Sequence, residues 1–322
     1  MSHSLIKKIS VDEGTNSIDV FANNTVATIY NQMPEVDEVL INPFDHGELK
    51  IIERYRISGK LRERGYTTAY ILPNSYKSAL IPFMAGIPNR VGYTGEGRIR
   101  IINKRHKKIK NKNPLLVDQY LKLADGNNVT PSTKRENPKL TISRTEYKST
   151  LDKYRIASDT RYVCLCPGAE YGSAKKWPSV HFARLSEYLQ DDGLTPIMLG
   201  GPNDVTTGRH VKNASNCELI DLTGMTSLKE AIHILSRAIC VVTNDSGLMH
   251  ISAALDKPTI ALFGSSSPRF TPPLSDRAVI ISLALDCSPC FERICPLGHT
   301  NCLTNITPKE VHKKISAIQL SH

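Results

Sequence analysis

The stretch Ile239-Cys240-Val241-Val242-Thr243-Asn244-Asp245-Ser246-Gly247-Leu248-Met249-His250 decides how the chain is read. Ile239–Thr243 is an unbroken apolar and β-branched run, the pattern of a strand buried on both faces. It gives way at once to a small polar turn, and Ser246–Leu255 then reads as a helix. Such a turn presents free backbone N–H groups and the positive end of a helix dipole, which together make a seat for a diphosphate. Gly247 lets backbone come close to a ligand. Asp245 or Ser246 also suits a plain helix cap. A cap accounts for one residue, but not for the whole set with Asn244 before it and His250 one turn further on.

The same alternation extends to both sides. Strands are predicted at Tyr162–Cys166, Thr195–Leu199, Glu218–Leu222 and Thr259–Phe263. Helices are predicted at Ser179–Asp191, Asp204–Ala214, Ser227–Arg237 and Thr307–Ser316. Ser227 with Glu230 forms a capping box, and Thr307-Pro308 pairs an N-cap with proline at the first helical position. In the first half, strands are expected at Ser17–Phe21, Glu38–Ile41, Thr67–Leu72 and Arg90–Tyr93, and helices at Thr25–Gln32, Glu48–Gly65 and Tyr76–Ala85. Lys104–Asp159 reads as a basic loop, a helix near Leu115–Ala124 and a polar linker with Pro131 and Pro138. Strands and helices joined this tightly predict parallel sheets covered on both faces. The expected fold is therefore α/β, with two doubly wound, Rossmann-like domains, residues 1–157 and 158–322, facing a central cleft. Ligands bind such folds at the carboxyl ends of the strands and in the cleft.

Composition narrows the function. The chain has 322 residues, 40% apolar and 22% charged, which is a globular balance. No apolar run approaches the roughly 20 residues of a membrane span. Met1–Ser10 has no long apolar region or small-residue cleavage site, so a cytoplasmic location is expected. The net charge of +10 lies wholly in residues 1–157, where 26 Lys+Arg face 16 Asp+Glu; residues 158–322 hold 15 of each. The excess peaks in the run Lys104–Lys112. Such a field draws polyanions: nucleic acid, phospholipid or a phosphorylated glycan. A solvated loop accounts for the run alone, but an anionic partner accounts better for the half as a whole.

Three further segments could carry chemistry. Cys166-Pro-Gly-Ala-Glu-Tyr-Gly-Ser-Ala-Lys175-Lys176-Trp177-Pro178 follows a strand, stays open through its glycines, and offers Lys175 or Lys176 as counter-charge to a leaving diphosphate. Trp177 is the only tryptophan and reads as a packing anchor. Leu199-Gly-Gly-Pro-Asn-Asp204 presents Asp204 either as an acceptor for a ribose hydroxyl or as a helix cap. Cys287, Cys290, Cys295 and Cys302 have the spacing C-x2-C-x4-C-x6-C around His299. They suit a zinc site, an iron–sulfur cluster or free thiols.

Cys166–Pro178, Thr243–His250, Phe263–Leu274 and Leu72–Leu80 together resemble the bacterial ADP-heptose:lipopolysaccharide heptosyltransferases, glycosyltransferase family 9. The likeness runs over nearly the whole chain and is weakest in Lys104–Asp159. It implies a GT-B architecture, with an N-terminal acceptor domain and a C-terminal donor domain whose last helix packs back on the first. It implies ADP-heptose as donor and heptosylated Kdo-lipid A inner core as acceptor. Transfer would proceed with inversion and with no obligatory cofactor or metal. By match to the family motifs, Lys175 and Asp245 are catalytic. Lys175, Asp204, Asn244, Asp245, Ser246, Gly247 and His250 bind the donor, and Asn74, Ser75 and Lys77 lie on the acceptor side. The basic first half then suits the acceptor and the anionic inner face of the inner membrane. A monomer with no nucleic-acid partner is expected.

The N-terminus departs from the family pattern. Members begin with a strand and a Gly-Asp turn before their first helix, whereas Met1–Ile9 resembles that helix itself. The aspartate, the family's proposed general base, is expected upstream of Met1, and the 322-residue chain is expected to turn over poorly without it. Two alternatives stay open: a non-catalytic nucleotide-sugar-binding homologue, or a GT-B transferase for another core position.

Overall fold

Val163, Cys164 and Leu165 have neighbouring strands on both sides and no solvent exposure, so the sheet of the second half grows outward from them. The computed structural model describes residues 1–12, 17–45, 47–109, 115–125 and 135–320. Lys110–Lys112 of the basic run and Pro131 lie outside the described residues. The chain divides into two compact units, 1–31 with 35–136, and 32–34 with 137–322. All strand pairs among the described residues are parallel.

The first unit comprises α1 (Ser2–Asp12), β1 (Asp19–Ala22), α2 (Asn24–Tyr30), β2 (Glu38–Ile41), α3 (Ile51–Glu63), β3 (Thr68–Ile71), α4 (Tyr76–Met84), β4 (Asn89–Tyr93), β5 (Lys104–His106) and α5 (Leu116–Asp125). Its strands form two sheets, β1-β2 and β3-β4-β5. Between β1 and β3 lies a cavity of about 530 Å³, lined by both strands and by Leu5, Ile6 and Ile9 of α1. The amino ends of the two strands are tied by the Tyr66 hydroxyl, which donates to Asp19. Leu5 and Ile9, one turn apart on α1, are buried with Val91, Tyr93 and Leu123.

The second unit comprises α6 (Arg144–Lys153), β6 (Tyr162–Cys166), α7 (Ser179–Asp191), β7 (Thr195–Met198), α8 (Val205–Ala214), β8 (Ile220–Asp221), α9 (Leu228–Arg237), β9 (Cys240–Asn244), α10 (Gly247–Ala254), β10 (Thr259–Phe263), β11 (Ala278–Ser282), α11 (Asn301–Thr304) and α12 (Pro308–Leu320). The sheet order is β11-β10-β9-β6-β7-β8. Alternation along β10 shows how both faces are covered. Ile260 and Leu262 join Phe182 and Leu185 of α7 and Val311 and Ile315 of α12. Ala261 and Phe263 point the other way, onto Met249 of α10.

Several elements differ from the sequence reading, the short α11 among them. Lys104–His106, placed in a basic loop, is a strand that pairs with β4. The stretch read as linker contains α6, which has its own capping box from Ser143 and Glu146 and packs on α9 through Thr150–His233 and Lys153–Glu230. Residues 137–157 accordingly belong with the second unit. Ala278–Ser282 is an edge strand that was not predicted. The last helix is seated in the second unit's own core through Val311 and Ile315, and His312 bonds Asp192 at 2.8 Å. No helix among the described residues is long and apolar enough to cross a membrane.

The Ser227–Glu230 box is present as read, with Ser227 Oγ accepting from the Glu230 N–H at 3.3 Å and Glu230 accepting from the Ser227 N–H at 2.8 Å. Ser227→Ala should lower the stability of the second unit by about 1 kcal/mol. Urea unfolding followed by the fluorescence of Trp177, the only tryptophan, reads that unit alone; an unchanged midpoint would contradict the assignment.

Candidate functional site

β6 comes first in the second unit yet sits mid-sheet. From it the chain winds one way through β7 and β8 and the other way through β9, β10 and β11. The switch falls between β6 and β9, where Cys166 pairs with Thr243. Loops leaving adjacent strands in opposite directions open a crevice at that point. The two motifs singled out in the sequence, 166–178 and 243–250, are these two loops.

Asn244 holds them together. It has no solvent exposure. Its Oδ1 accepts from the Trp177 N–H at 3.0 Å, and its Nδ2 donates to the carbonyls of Pro167 (2.9 Å) and Gly168 (3.4 Å). Trp177 in turn is buried against Phe182, with its Nε1 donating to the Ile306 carbonyl at 2.9 Å. The anchor role read for Trp177 is what the structure shows. The Asn244 side chain is committed to the loop.

The held loop brings Lys175 to Asp245, with Nζ 2.5 Å from Oδ2 and both side chains largely buried. An ammonium has three donors, so one bond to Asp245 leaves others for a ligand. Lys176 goes elsewhere, donating to Thr207 Oγ1 at 3.1 Å and lying 3.9 Å from Asp204. The structure thus separates two lysines that the sequence leaves equivalent.

Past Asp245 the backbone enters α10. Ser246 stands at the N-cap position but makes no capping bond; its Oγ is 3.3 Å from Thr243 Oγ1. A Cβ on Gly247 would meet nothing within 4 Å, so open space lies beside the first turn. The amides of that turn have no carbonyl partner within the helix. His250 lies one turn on. Burial holds its imidazole at about 4 instead of 6.5; Asp245 favours the cation and Lys175 opposes it.

Asp204 lies over the carboxyl ends of β6 and β7. A Cβ on Gly168 would fall 2.2 Å from its carboxylate, so any larger residue there would displace the Asp204 side chain. One oxygen accepts from the Gly201 N–H at 3.0 Å, while α8 receives no side-chain cap from it. Sequence reasoning includes Ser265 and Ser266, just beyond β10, in the Phe263–Leu274 motif but gives them no role. Their hydroxyls are buried and have no partner among the described residues. A run of serines straight after a buried strand was the available signal.

In the first unit, Asn74, Ser75 and Lys77 gather at the start of α4. Ser75 caps the helix by accepting from the Ser78 N–H at 3.3 Å. Asn74 Oδ1 accepts from Arg98 at 3.1 Å. Arg98, which sequence reasoning missed, is fully buried and also donates to the carbonyls of Pro73 (2.6 Å) and Tyr93 (2.6 and 2.9 Å). It fixes the loop that presents these residues. Cys287, Cys290, Cys295 and Cys302 are free thiols lining one small cavity with His299 and Ser265. Among the described residues, no group of three or more His, Cys, Asp or Glu is arranged to hold a metal ion.

A doubly wound parallel α/β unit with a half-buried lysine and an uncapped helix start at its switch point has the form of the GT-B glycosyltransferase class. The comparisons agree. Residues 54–301 match the model of glycosyltransferase family 9 (heptosyltransferase). Lipopolysaccharide heptosyltransferase 2 of Escherichia coli K12 is 37% identical over 99% of this chain and 94% of its own length. Lipooligosaccharide heptosyltransferase 2 of Haemophilus influenzae is 39% identical over 88% and 84%. The solved structure of E. coli ADP-heptose lps heptosyltransferase II superposes with a TM-score of 0.87 at 36% identity, covering 99% of this chain and 94% of that one. The chain belongs to glycosyltransferase family 9, and it is a glycosyltransferase.

The His250 shift has a consequence for stability. The folded protein takes up this proton less readily than the unfolded chain. The associated stability is therefore complete above about 6.5 and is lost as pH falls toward about 4. His250→Gln should flatten thermal stability across that window by up to about 1.4 kcal/mol per pH unit. Parallel wild-type and variant curves would contradict it.

Proposed function

We propose that this protein transfers heptose from ADP-heptose to the heptosylated Kdo-lipid A inner core during lipopolysaccharide assembly, with inversion at the donor carbon. The observation that carries the reading is the Lys175–Asp245 pair at the β6/β9 switch point, beside the uncapped start of α10. The names of the family 9 relatives support the choice of sugar and of pathway.

Breaking the sugar–phosphate bond leaves negative charge on the departing ADP. Fixed positive charge aimed at those oxygens lowers the barrier because it needs no reorganisation as the charge develops. In this reading Lys175, held in place by Asp245, takes the phosphate oxygens together with the amides of Ser246 and Gly247. His250 is neutral at physiological pH and adds a hydrogen bond without a further charge. Asp204 uses one carboxylate oxygen on Gly201 and keeps capacity for a ribose hydroxyl. Asn244 acts by holding the Lys175 loop. Asn74, Ser75 and Lys77 present the acceptor side, and the basic first half draws the anionic lipid. The protein works as a cytoplasmic monomer at the inner membrane surface, with no metal ion asked of it.

Lys175→Ala should weaken ADP binding about 10–100-fold, the worth of one charge-assisted hydrogen bond of about 1.5–3 kcal/mol. Titration calorimetry with ADP measures this, and an unchanged affinity would contradict the role. In a transfer assay, monoheptosylated Kdo-lipid A should be used and unheptosylated Kdo-lipid A refused. The reverse preference would assign another core position.

A further inference from the structure

The strap between β11 and α11, residues 283–300, carries Cys287, Cys290 and Cys295 and has no part in the function described so far. It is stitched to two strand-end loops. On the β10 side, the Phe291 N–H donates to the Ser265 carbonyl at 2.7 Å, and Ser288 Oγ donates to the Gly264 carbonyl at 2.7 Å. On the β6 side, the Ala174 N–H donates to the Arg293 carbonyl at 3.0 Å, and the Tyr171 hydroxyl donates to the Phe291 carbonyl at 2.8 Å. The second pair of bonds falls on the loop that delivers Lys175.

The side chains make the same connection. The Tyr171 ring carries two cations: Lys175 Nζ lies 4.9 Å from its centroid and the Arg293 guanidinium 5.1 Å. Two cations drawn to one ring need that ring to hold them near each other. The backbone is cut to fit as well. A Cβ on Gly172 would stand 2.2 Å from the Arg293 carbonyl oxygen, so only glycine lets the strap come this close. Lys175 is thus held from two directions, by Asp245 at its tip and by Tyr171 along its reach.

We propose that Tyr171 and Arg293 are positioning residues, which fix the Lys175 ammonium for the donor diphosphate by anchoring its loop and side chain to the 283–300 strap. Neither residue needs to touch the nucleotide. This rests on the reading of Lys175 as a diphosphate ligand, so the experiment separates the two claims.

ADP affinity is measured by titration calorimetry for wild type, Lys175→Ala, Tyr171→Leu, Tyr171→Phe, Arg293→Ala and the double variant Tyr171→Leu/Lys175→Ala. Trp177 fluorescence during urea unfolding confirms that each is folded. Tyr171→Leu and Arg293→Ala should each weaken ADP binding about 3–10-fold, the scale of a cation–π contact and its bond. Tyr171→Phe keeps the ring and should recover most of the loss. In the Lys175→Ala background, Tyr171→Leu should change affinity by less than about 2-fold, because residues acting through one partner are non-additive. Equal factors with and without the lysine would mean that Tyr171 meets the nucleotide itself, and would overturn the proposal. So would an unaffected Tyr171→Leu in a protein where Lys175→Ala binds poorly. If Lys175→Ala binds ADP normally, the assignment of the lysine fails first and the positioning role falls with it.

Discussion

One buried carboxamide sets the geometry of the second unit's switch point. Asn244 sits at the end of β9 with no solvent around it and spends its hydrogen-bonding capacity on the loop that leaves β6. A buried amide left unpaired costs about 1–3 kcal/mol per group, so the loop and the residue hold each other in place. Trp177 then plugs the far end of the loop into the core through its indole N–H and its packing on Phe182. With both ends fixed, Lys175 reaches Asp245. The site is thus built by a polar residue inside the sheet, and the charged pair is its consequence.

The two units manage charge differently. In the second, a lysine and an aspartate are buried together at a helix start, so the positive charge left for a ligand comes from the remaining ammonium protons and from backbone amides. That arrangement suits a small, defined anion. In the first, Arg54 and Arg98 are buried and spent on backbone carbonyls, with Asn74 Oδ1 and Ser78 Oγ also accepting from Arg98, while Lys104 and Arg105 are exposed. An exposed excess of this kind steers and concentrates a large anionic partner without fixing its pose. The contrast fits a transferase with a compact nucleotide donor and a phosphorylated lipid acceptor.

Much of the second unit was legible because its strands are buried on both faces. Tyr162–Cys166 and Thr259–Phe263 have sequence bounds that match the structure to the residue, and both are wholly buried. β11 is apolar in four of its five residues, so its β-branched run was a signal that the sequence reading left unused. β5 escaped because an edge strand need not be apolar: Lys104 and Arg105 face solvent. α6 escaped for a related reason. It is a polar helix whose stability comes from its capping box and from partners on α9 far along the chain, and only the Ser143–Glu146 spacing announced it. At the switch point, composition and spacing singled out the two loops that the structure brings together. They did not show that Lys175, not Lys176, turns toward Asp245, nor that Asn244 is structural and Arg98 buried. Those facts depend on which strands become neighbours.

The central claim is that the diphosphate of the donor sits between Lys175 and the first turn of α10. A crystal structure of the protein with ADP tests it most directly. The account predicts phosphate oxygens within about 3 Å of Lys175 Nζ and of the backbone N–H groups at Ser246 and Gly247, with Asn244 still bonded to Trp177. ADP bound elsewhere, with the Lys175–Asp245 pair closed and its surroundings untouched, would contradict it.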